Sequence, residues 1–174
     1  GAAVTCTVVQ ALSAFLGQRL TIGEASELTY QVEKIHHGTP SGIDNTVICH
    51  NQPVFYKPGH PHQVLNITRP LTIVIGDTGI TSPTGEVVKS VRDARALNPD
   101  HYNHLISSIG EIAAAGRKAI ESGNTPELGK LMNDNQALLA QLGVSSPELE
   151  DLVHAAREGG ALGAKLSGGG KGGM

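Results

Sequence analysis

Apolar residues recur along the first fifteen positions at the spacing of a helical face. Val4, Val8, Ala11, Leu12 and Phe15 share one stripe, so residues 2–16 are expected to form a helix. Thr21-Ile-Gly-Glu24 has the form of a capping box, in which a hydroxyl and a carboxylate three residues apart each satisfy the other's backbone N–H. A second helix is expected from there to about Ile35. The pattern then shifts. Thr46–His50 and Val54–Lys57 are short runs on either side of Asn51-Gln52-Pro53 and predict two strands joined by a hairpin turn. Leu71–Ile75 is an apolar run rich in β-branched residues, as expected of a buried strand. Asp77–Gly85 reads as a loop, and a helix is expected over Glu86–Ala96.

Three further helix starts carry local punctuation. Asn98-Pro99, Thr125-Pro126 and Ser146-Pro147 each place a capping side chain before a proline at the first helical position. The first of these helices should run to about Ser122. The second should bury Leu128, Leu131, Met132, Leu138, Leu139 and Leu142, with Asn135 on the same stripe and in need of hydrogen-bond partners. Ala161–Leu166 reads as a strand leading into a glycine-rich loop. With β-elements expected before residue 76 and helices after it, the fold class is α+β.

Composition narrows the function classes. The 174 residues suffice for one compact domain or two small ones. A hydrophobic content of 39% and a net charge of −3 describe a globular protein rather than a disordered tail or a basic nucleic-acid binder. No apolar run is long enough to span a bilayer, and no charged-then-apolar leader is present. Cys6 and Cys49 sit in apolar runs far apart in sequence and read as reduced core thiols of a cytoplasmic protein. The chain opens inside a helix pattern and closes inside a glycine loop, so it is expected to be the central part of a longer protein, truncated at both ends.

The chemistry concentrates in residues 33–45, Glu-Lys-Ile-His-His-Gly-Thr-Pro-Ser-Gly-Ile-Asp-Asn. Glu33 ends a helix pattern, Thr39-Pro40-Ser41-Gly42 cannot continue it, and Asp44 follows. A stiff bend returning one carboxylate toward another suits metal-assisted chemistry on a hydroxyl. Glu33 could ligate Mg²⁺, and Asp44 could orient a hydroxyl or accept its proton; the plainer reading is a helix cap and a solvated helix end. His36-His37 and His60/His62 lack helical metal spacing and any CxxC companion, which argues against zinc. His37 reads as a residue that orients the loop or a substrate, while His60 and His62 read as exposed loop residues.

Three other places are candidates. Gly168-Gly-Gly-Lys-Gly-Gly173 satisfies GxGxxG formally, but Lys171 is followed by Gly172, so it is not a Walker A motif. Such glycine density lets backbone approach a phosphate closely, or marks a flexible end. Gly1-Ala2-Ala3 begins a helix, whose free N–H groups and positive dipole end suit a phosphate, as any helix start does. Thr84 could contact a substrate carboxylate or phosphate, although capping the following helix is the better reading.

Several stretches occur together in one order: Glu33–Asn45, Asp77-Thr-Gly, Met132-Asn-Asp-Asn-Gln-Ala-Leu-Leu139 with Leu142-Gly-Val-Ser145, and Lys165-Leu-Ser-Gly-Gly-Gly-Lys-Gly-Gly173. Together they resemble the GHMP small-molecule kinases, and within them the mevalonate kinase branch. The resemblance implies a GHMP kinase fold: part of a ribosomal S5 domain 2-like N-terminal domain over residues 1–68, and part of a ferredoxin-like C-terminal domain over 69–174. It implies ATP and Mg²⁺ as cofactors, and phosphorylation of mevalonate to 5-phosphomevalonate in isoprenoid biosynthesis. Asp44 matches the catalytic aspartate and Glu33 the magnesium-binding glutamate. Gly1, Ala2 and Ala3 match the helix start after the ATP phosphate loop. Ser167, Gly168, Gly169 and Gly170 match the glycine loop beside the active site, and His37, Gly42 and Thr84 fall near the substrate.

The partner implied is a small molecule, mevalonate, with neither nucleic acid nor membrane, and a homodimer is one option for the full-length enzyme. The family's N-terminal strands with their active-site lysine, most of its phosphate loop, and its C-terminal strands have no counterpart here, so this chain alone is expected to be inactive. Gly169 stands where the family often has alanine, a change expected to be harmless. Alternatives are another GHMP kinase acting on phosphomevalonate, homoserine or a sugar, the mevalonate-3-kinase and decarboxylase branch, or a non-catalytic binding fragment.

Overall fold

The computed structural model describes residues 1–37 and 40–174, with His36 and His37 given by backbone alone. The chain divides into two compact units, Gly1–Leu65 and Asn66–Met174.

The first unit holds α1 (Ala2–Phe15), α2 (Ile22–His37), α3 (Ile43–His50) and a hairpin of β1 (Val54–Phe55) and β2 (Gln63–Val64). The capping box forms as the sequence requires. The Thr21 N–H donates to the Glu24 carboxylate at 2.8 Å, and the Glu24 N–H donates to Thr21 Oγ1 at 3.3 Å. The Thr21 backbone and hydroxyl donors hold the Glu24 carboxyl below its usual pKa. The helices meet through small side chains: Cys6 of α1, Ala25 of α2 and Cys49 of α3 form one buried cluster, with Val9 and Leu20 packed against it. The stripe read in the sequence lies elsewhere on α1. Val4, Val8 and Leu12 are exposed, and Phe15 is 86% exposed.

The expected hairpin is displaced. Thr46–His50 is the body of α3 rather than a strand, and β1 pairs instead with β2, in the antiparallel register Val54↔Val64 and Phe55↔Gln63. The reason is packing: Asn45 and Cys49, four residues apart, fall on one buried side against α1 and α2, and the Thr46 hydroxyl is satisfied within the helix by the Gly42 carbonyl at 2.6 Å.

The second unit holds α4 (Thr84–Leu97), α5 (Pro99–Ser122), α6 (Thr125–Gln141) and α7 (Pro147–Glu158). Asn98 caps α5 and Ser146 caps α7, each accepting a backbone N–H at 3.4 Å. The α6 cap falls one residue earlier than expected: Asn124 Oδ1 accepts the Glu127 N–H at 3.2 Å, leaving Thr125 inside the helix. Val87, Val144, Leu149 and Leu166 form the core of this unit, with Val91, Leu139 and Leu142 against it.

Neither Leu71–Ile75 nor Ala161–Leu166 forms a strand. The first has no ladder partner among the described residues and leaves Ile73, Val74 and Ile75 exposed. In the second, side chains of α6 occupy the backbone groups a ladder would use. The molecule is therefore α+β, with its described β-structure confined to one short hairpin. No described helix is long and apolar enough to cross a membrane.

Candidate functional site

In the first unit the expected chemistry sits around the turn between α2 and α3. Gly42 is the N-cap of α3 with φ +83°, and a Cβ there would lie 2.8 Å from Tyr56 Oη. Both the sign of φ and the lack of room require glycine. Tyr56, just after β1, donates to the Ser41 carbonyl at 2.6 Å, and Ser41 Oγ accepts the Ile43 N–H at 3.3 Å. Asn45 ties α3 to α2 by donating to Ser26 Oγ at 2.9 Å. The first two of these hydrogen bonds hold the turn, and the third fixes the helix that follows it.

Asp44 is exposed in the first turn of α3, where the helix dipole favours a negative charge. Glu33 lies on α2 and is only 6% exposed. The His37 side chain lies outside the described residues. Among the described residues no group of three His, Cys, Asp or Glu side chains gathers as a metal cage. A cleft of about 420 Å³ opens beside the turn, lined in part by Ser26, Glu27, Tyr30, Gly42, Asn45 and His62, but not by Glu33 or Asp44. His62 is not the exposed loop residue expected: it is half-buried, its ring edge-on to His50 at 4.1 Å between centroids.

Gly1 is the N-cap of α1 and has no side chain to offer the helix. Its carbonyl accepts the Val4 and Thr5 N–H groups at 3.1 and 3.3 Å, while first-turn N–H groups lack intrahelical partners by geometry.

In the second unit the glycine loop is an ordered turn rather than a frayed end. Thr78 donates to the Gly173 carbonyl through both its N–H (2.9 Å) and its hydroxyl (3.1 Å). The Gly173 N–H donates to the Ile80 carbonyl at 2.9 Å, and the Lys171 N–H donates to the Val144 carbonyl at 2.7 Å. Gly170 has φ +85°, and a Cβ there would fall 2.1 Å from the Val144 carbonyl oxygen. Thr84 does not cap α4, whose N-cap is Pro83. The Thr84 side chain instead lies against Gly169, where an added Cβ would meet Cγ2 at 3.2 Å and Oγ1 at 3.3 Å. The structure therefore brings together two residues, Thr84 and Gly169, that the sequence offered separately. An alanine at 169 would require Thr84 to give way slightly.

Sequence reasoning missed the residues that aim this loop. Asn135 was expected to be the amide on the buried stripe; the buried one is Gln136, at 2% exposure. Gln136 Oε1 accepts the Leu166 N–H at 2.8 Å, and its Nε2 donates to Glu150 Oε1 at 2.9 Å and Ser145 Oγ at 3.1 Å. One turn earlier, Asn133 Oδ1 accepts the Ala164 N–H at 3.1 Å and its Nδ2 donates to the Leu162 carbonyl at 3.3 Å. Two amides at i, i+3 on one helix thus fix the backbone entering the loop. Lys165, between these anchors, donates to the Leu166 carbonyl, and burial lowers its pKa. The run Asn-Asp-Asn-Gln showed that amides were present, but not which of them turned inward.

Comparison with known proteins adds direct likeness. The family described as GHMP kinases N terminal domain matches residues 1–51, and that described as GHMP kinases C terminal matches residues 117–174. Mevalonate kinases of Thermococcus sibiricus and Pyrococcus horikoshii are 38% and 37% identical to this chain across 99% of its length. Those alignments take in 53% and 52% of the two relatives, so the chain spans about half the length of the curated relatives it matches. Among solved structures, L. major mevalonate kinase in complex with R-mevalonate superposes with a TM-score of 0.93 at 34% identity, over 99% of this chain and 54% of that one.

Proposed function

This chain belongs to the GHMP kinases, and from that premise we propose that its complete protein transfers the γ-phosphoryl group of ATP to the primary hydroxyl of mevalonate. The likeness to an enzyme solved with R-mevalonate carries this reading. The 174-residue chain alone is proposed not to turn over, because it spans about half of its relatives' length. Residues 1–68 and 69–174 are proposed as portions of the two GHMP domains; the division between Leu65 and Asn66 supports the split. The proposed setting is the cytoplasm, which the free thiols of Cys6 and Cys49 support.

Phosphoryl transfer asks little covalent chemistry of a protein; positioning and charge neutralisation do most of the work. Asp44 is assigned to align the hydroxyl and take its proton; its place in an exposed first turn, with the neighbouring backbone pinned by Tyr56 and Asn45, supports this. The first-turn N–H groups of Gly1–Ala3 and the backbone of Ser167–Gly170, next to Thr84, are assigned to phosphate and substrate oxygens. Gly42 is assigned to the substrate side of the turn, a reading its place in the lining of the cleft supports, with His37 assigned beside it.

Mg²⁺ takes oxygen ligands and fills most positions with water and phosphate, so one or two carboxylates suffice and no protein cage is needed. Glu33, a carboxylate buried next to this turn in sequence, fits that donor set and is the residue proposed to hold the ion. When bound, Mg²⁺ would neutralise phosphate charge.

The test is ADP release by the complete protein, offered mevalonate, phosphomevalonate, homoserine and galactose in turn. Turnover with mevalonate alone is expected; preference for another alcohol would overturn the substrate. Asp44→Asn should lower kcat by about 10²–10⁴-fold with ATP affinity kept, and an unchanged rate would remove Asp44 from the role.

A further inference from the structure

Cys6 and Cys49 are 43 positions apart in sequence, yet their sulfurs lie 2.8 Å from each other inside the first unit. Both thiols are free, and the side chains are 3% and 6% exposed. Non-bonded carbon atoms settle at roughly 3.5–4.0 Å and larger sulfurs farther still, so this pair is closer than packing alone allows. Ala25, Val9 and Leu20 around the pair are apolar, and the Thr29 hydroxyl stands 3.7 Å from the Cys49 sulfur. Cys6 belongs to α1 and Cys49 to the last turn of α3, so the contact joins two elements that the chain itself links only through α2.

We propose that Cys6 and Cys49 are a dithiol modification site, which closes to an intramolecular disulfide in the presence of a disulfide oxidant such as oxidised glutathione. One cysteine thiolate attacks a glutathione sulfur and releases one glutathione thiolate. The second cysteine thiolate then attacks the protein sulfur of the mixed disulfide and releases the other. Two protein sulfurs give up two electrons, glutathione disulfide takes them, and the two thiol protons leave on the glutathione products. Burial, with the hydrogen bond to Cys6, pushes the Cys49 thiol up to about 11, so little thiolate forms at neutral pH and closure is slow. Closure ties α1 to α3 across the segment carrying Glu33 and Asp44. The inference does not depend on the kinase reading.

The experiment incubates this chain in native buffer with oxidised glutathione, then denatures it and alkylates the remaining thiols. The expected product is a monomer lighter by two hydrogen masses that takes up no alkyl groups, yields a Cys6–Cys49 linked peptide, and melts roughly 5–10 °C higher until dithiothreitol is added. Cys6→Ala and Cys49→Ala should each abolish the linked peptide. Two alkylated thiols after prolonged oxidation, or only glutathione adducts and intermolecular dimers, would overturn the proposal. A linked product that melts lower than the reduced chain would overturn it too, since the bond would then have to distort the fold.

Discussion

Two glycine-bearing turns dominate this molecule, and they are held in opposite ways. The turn at 40–43 is fixed mainly by side chains reaching in from neighbouring elements, the Tyr56 hydroxyl on the Ser41 carbonyl and the Tyr30 hydroxyl on the Pro40 carbonyl. The loop at 167–173 is itself held mainly backbone to backbone, with Val144, Ile80 and Thr78 supplying partners and glycines fitting where a Cβ would strike a carbonyl, while the amides of Asn133 and Gln136 hold only the chain that enters it. A turn held by side chains should weaken in steps as each tie is cut. A loop held by backbone contact should tolerate almost no added volume.

The sharpest way to break that contrast is Gly170→Ala. The new Cβ meets the Val144 carbonyl at a positive φ, so a loss of about 3 kcal/mol or more is expected from strain and displaced backbone. Hydrogen exchange should report it as lost protection at the Lys171 amide. Wild-type protection there would mean the loop is softer than its contacts imply.

Gln136→Leu should cost about 2–3 kcal/mol, because it leaves the Leu166 N–H and the Glu150 carboxylate without their partner. Exchange at Leu166 should accelerate while the middle of α5 stays protected. Uniform acceleration throughout the unit would instead mark Gln136 as an ordinary core residue.

In the other turn, Tyr56→Phe removes one hydroxyl bond to the Ser41 carbonyl, and about 1 kcal/mol is expected. Urea unfolding of the Tyr56→Phe and Tyr30→Phe single variants and their double variant would show whether the ties act separately; a single variant that abolished the turn would erase the comparison.

The smallest effect belongs to the α2 capping box. The Thr21 donors depress the Glu24 pKa in the folded chain, so their contribution is present above the unfolded value of 4.5 and is lost as pH falls through the lower folded value. Helical circular dichroism should show a slight acid-side loss that Glu24→Gln removes. A pH profile identical in the two proteins would argue against the capping box.

Much of the helical framework was legible because its signals are local. A cap and its recipient are three residues apart, and proline at the first helical position needs no distant partner, so α5 and α7 begin where Asn98-Pro99 and Ser146-Pro147 said they would. The strands were less legible. Thr46–His50 carries β-branched residues that a strand would favour, yet burial of Asn45 and Cys49 on one side against α1 and α2 makes it a helix. β1 finds its partner beyond the adjacent turn residues, and Leu71–Ile75 shows that strand-like composition without a ladder gives no strand.

The candidate site divides along the same line. Sequence alone determined which groups are available: the carboxylates of Glu33 and Asp44, the glycines of both turns, the amides of α6 and the cysteines. Tertiary structure decided which of them meet. It set Thr84 against Gly169, turned Gln136 rather than Asn135 inward onto Leu166, and brought the Cys6 and Cys49 sulfurs into contact. The cause is the range of the forces involved. Backbone propensity and capping act within a turn of the chain, whereas side-chain contact depends on how separate elements pack, which no short window of residues contains.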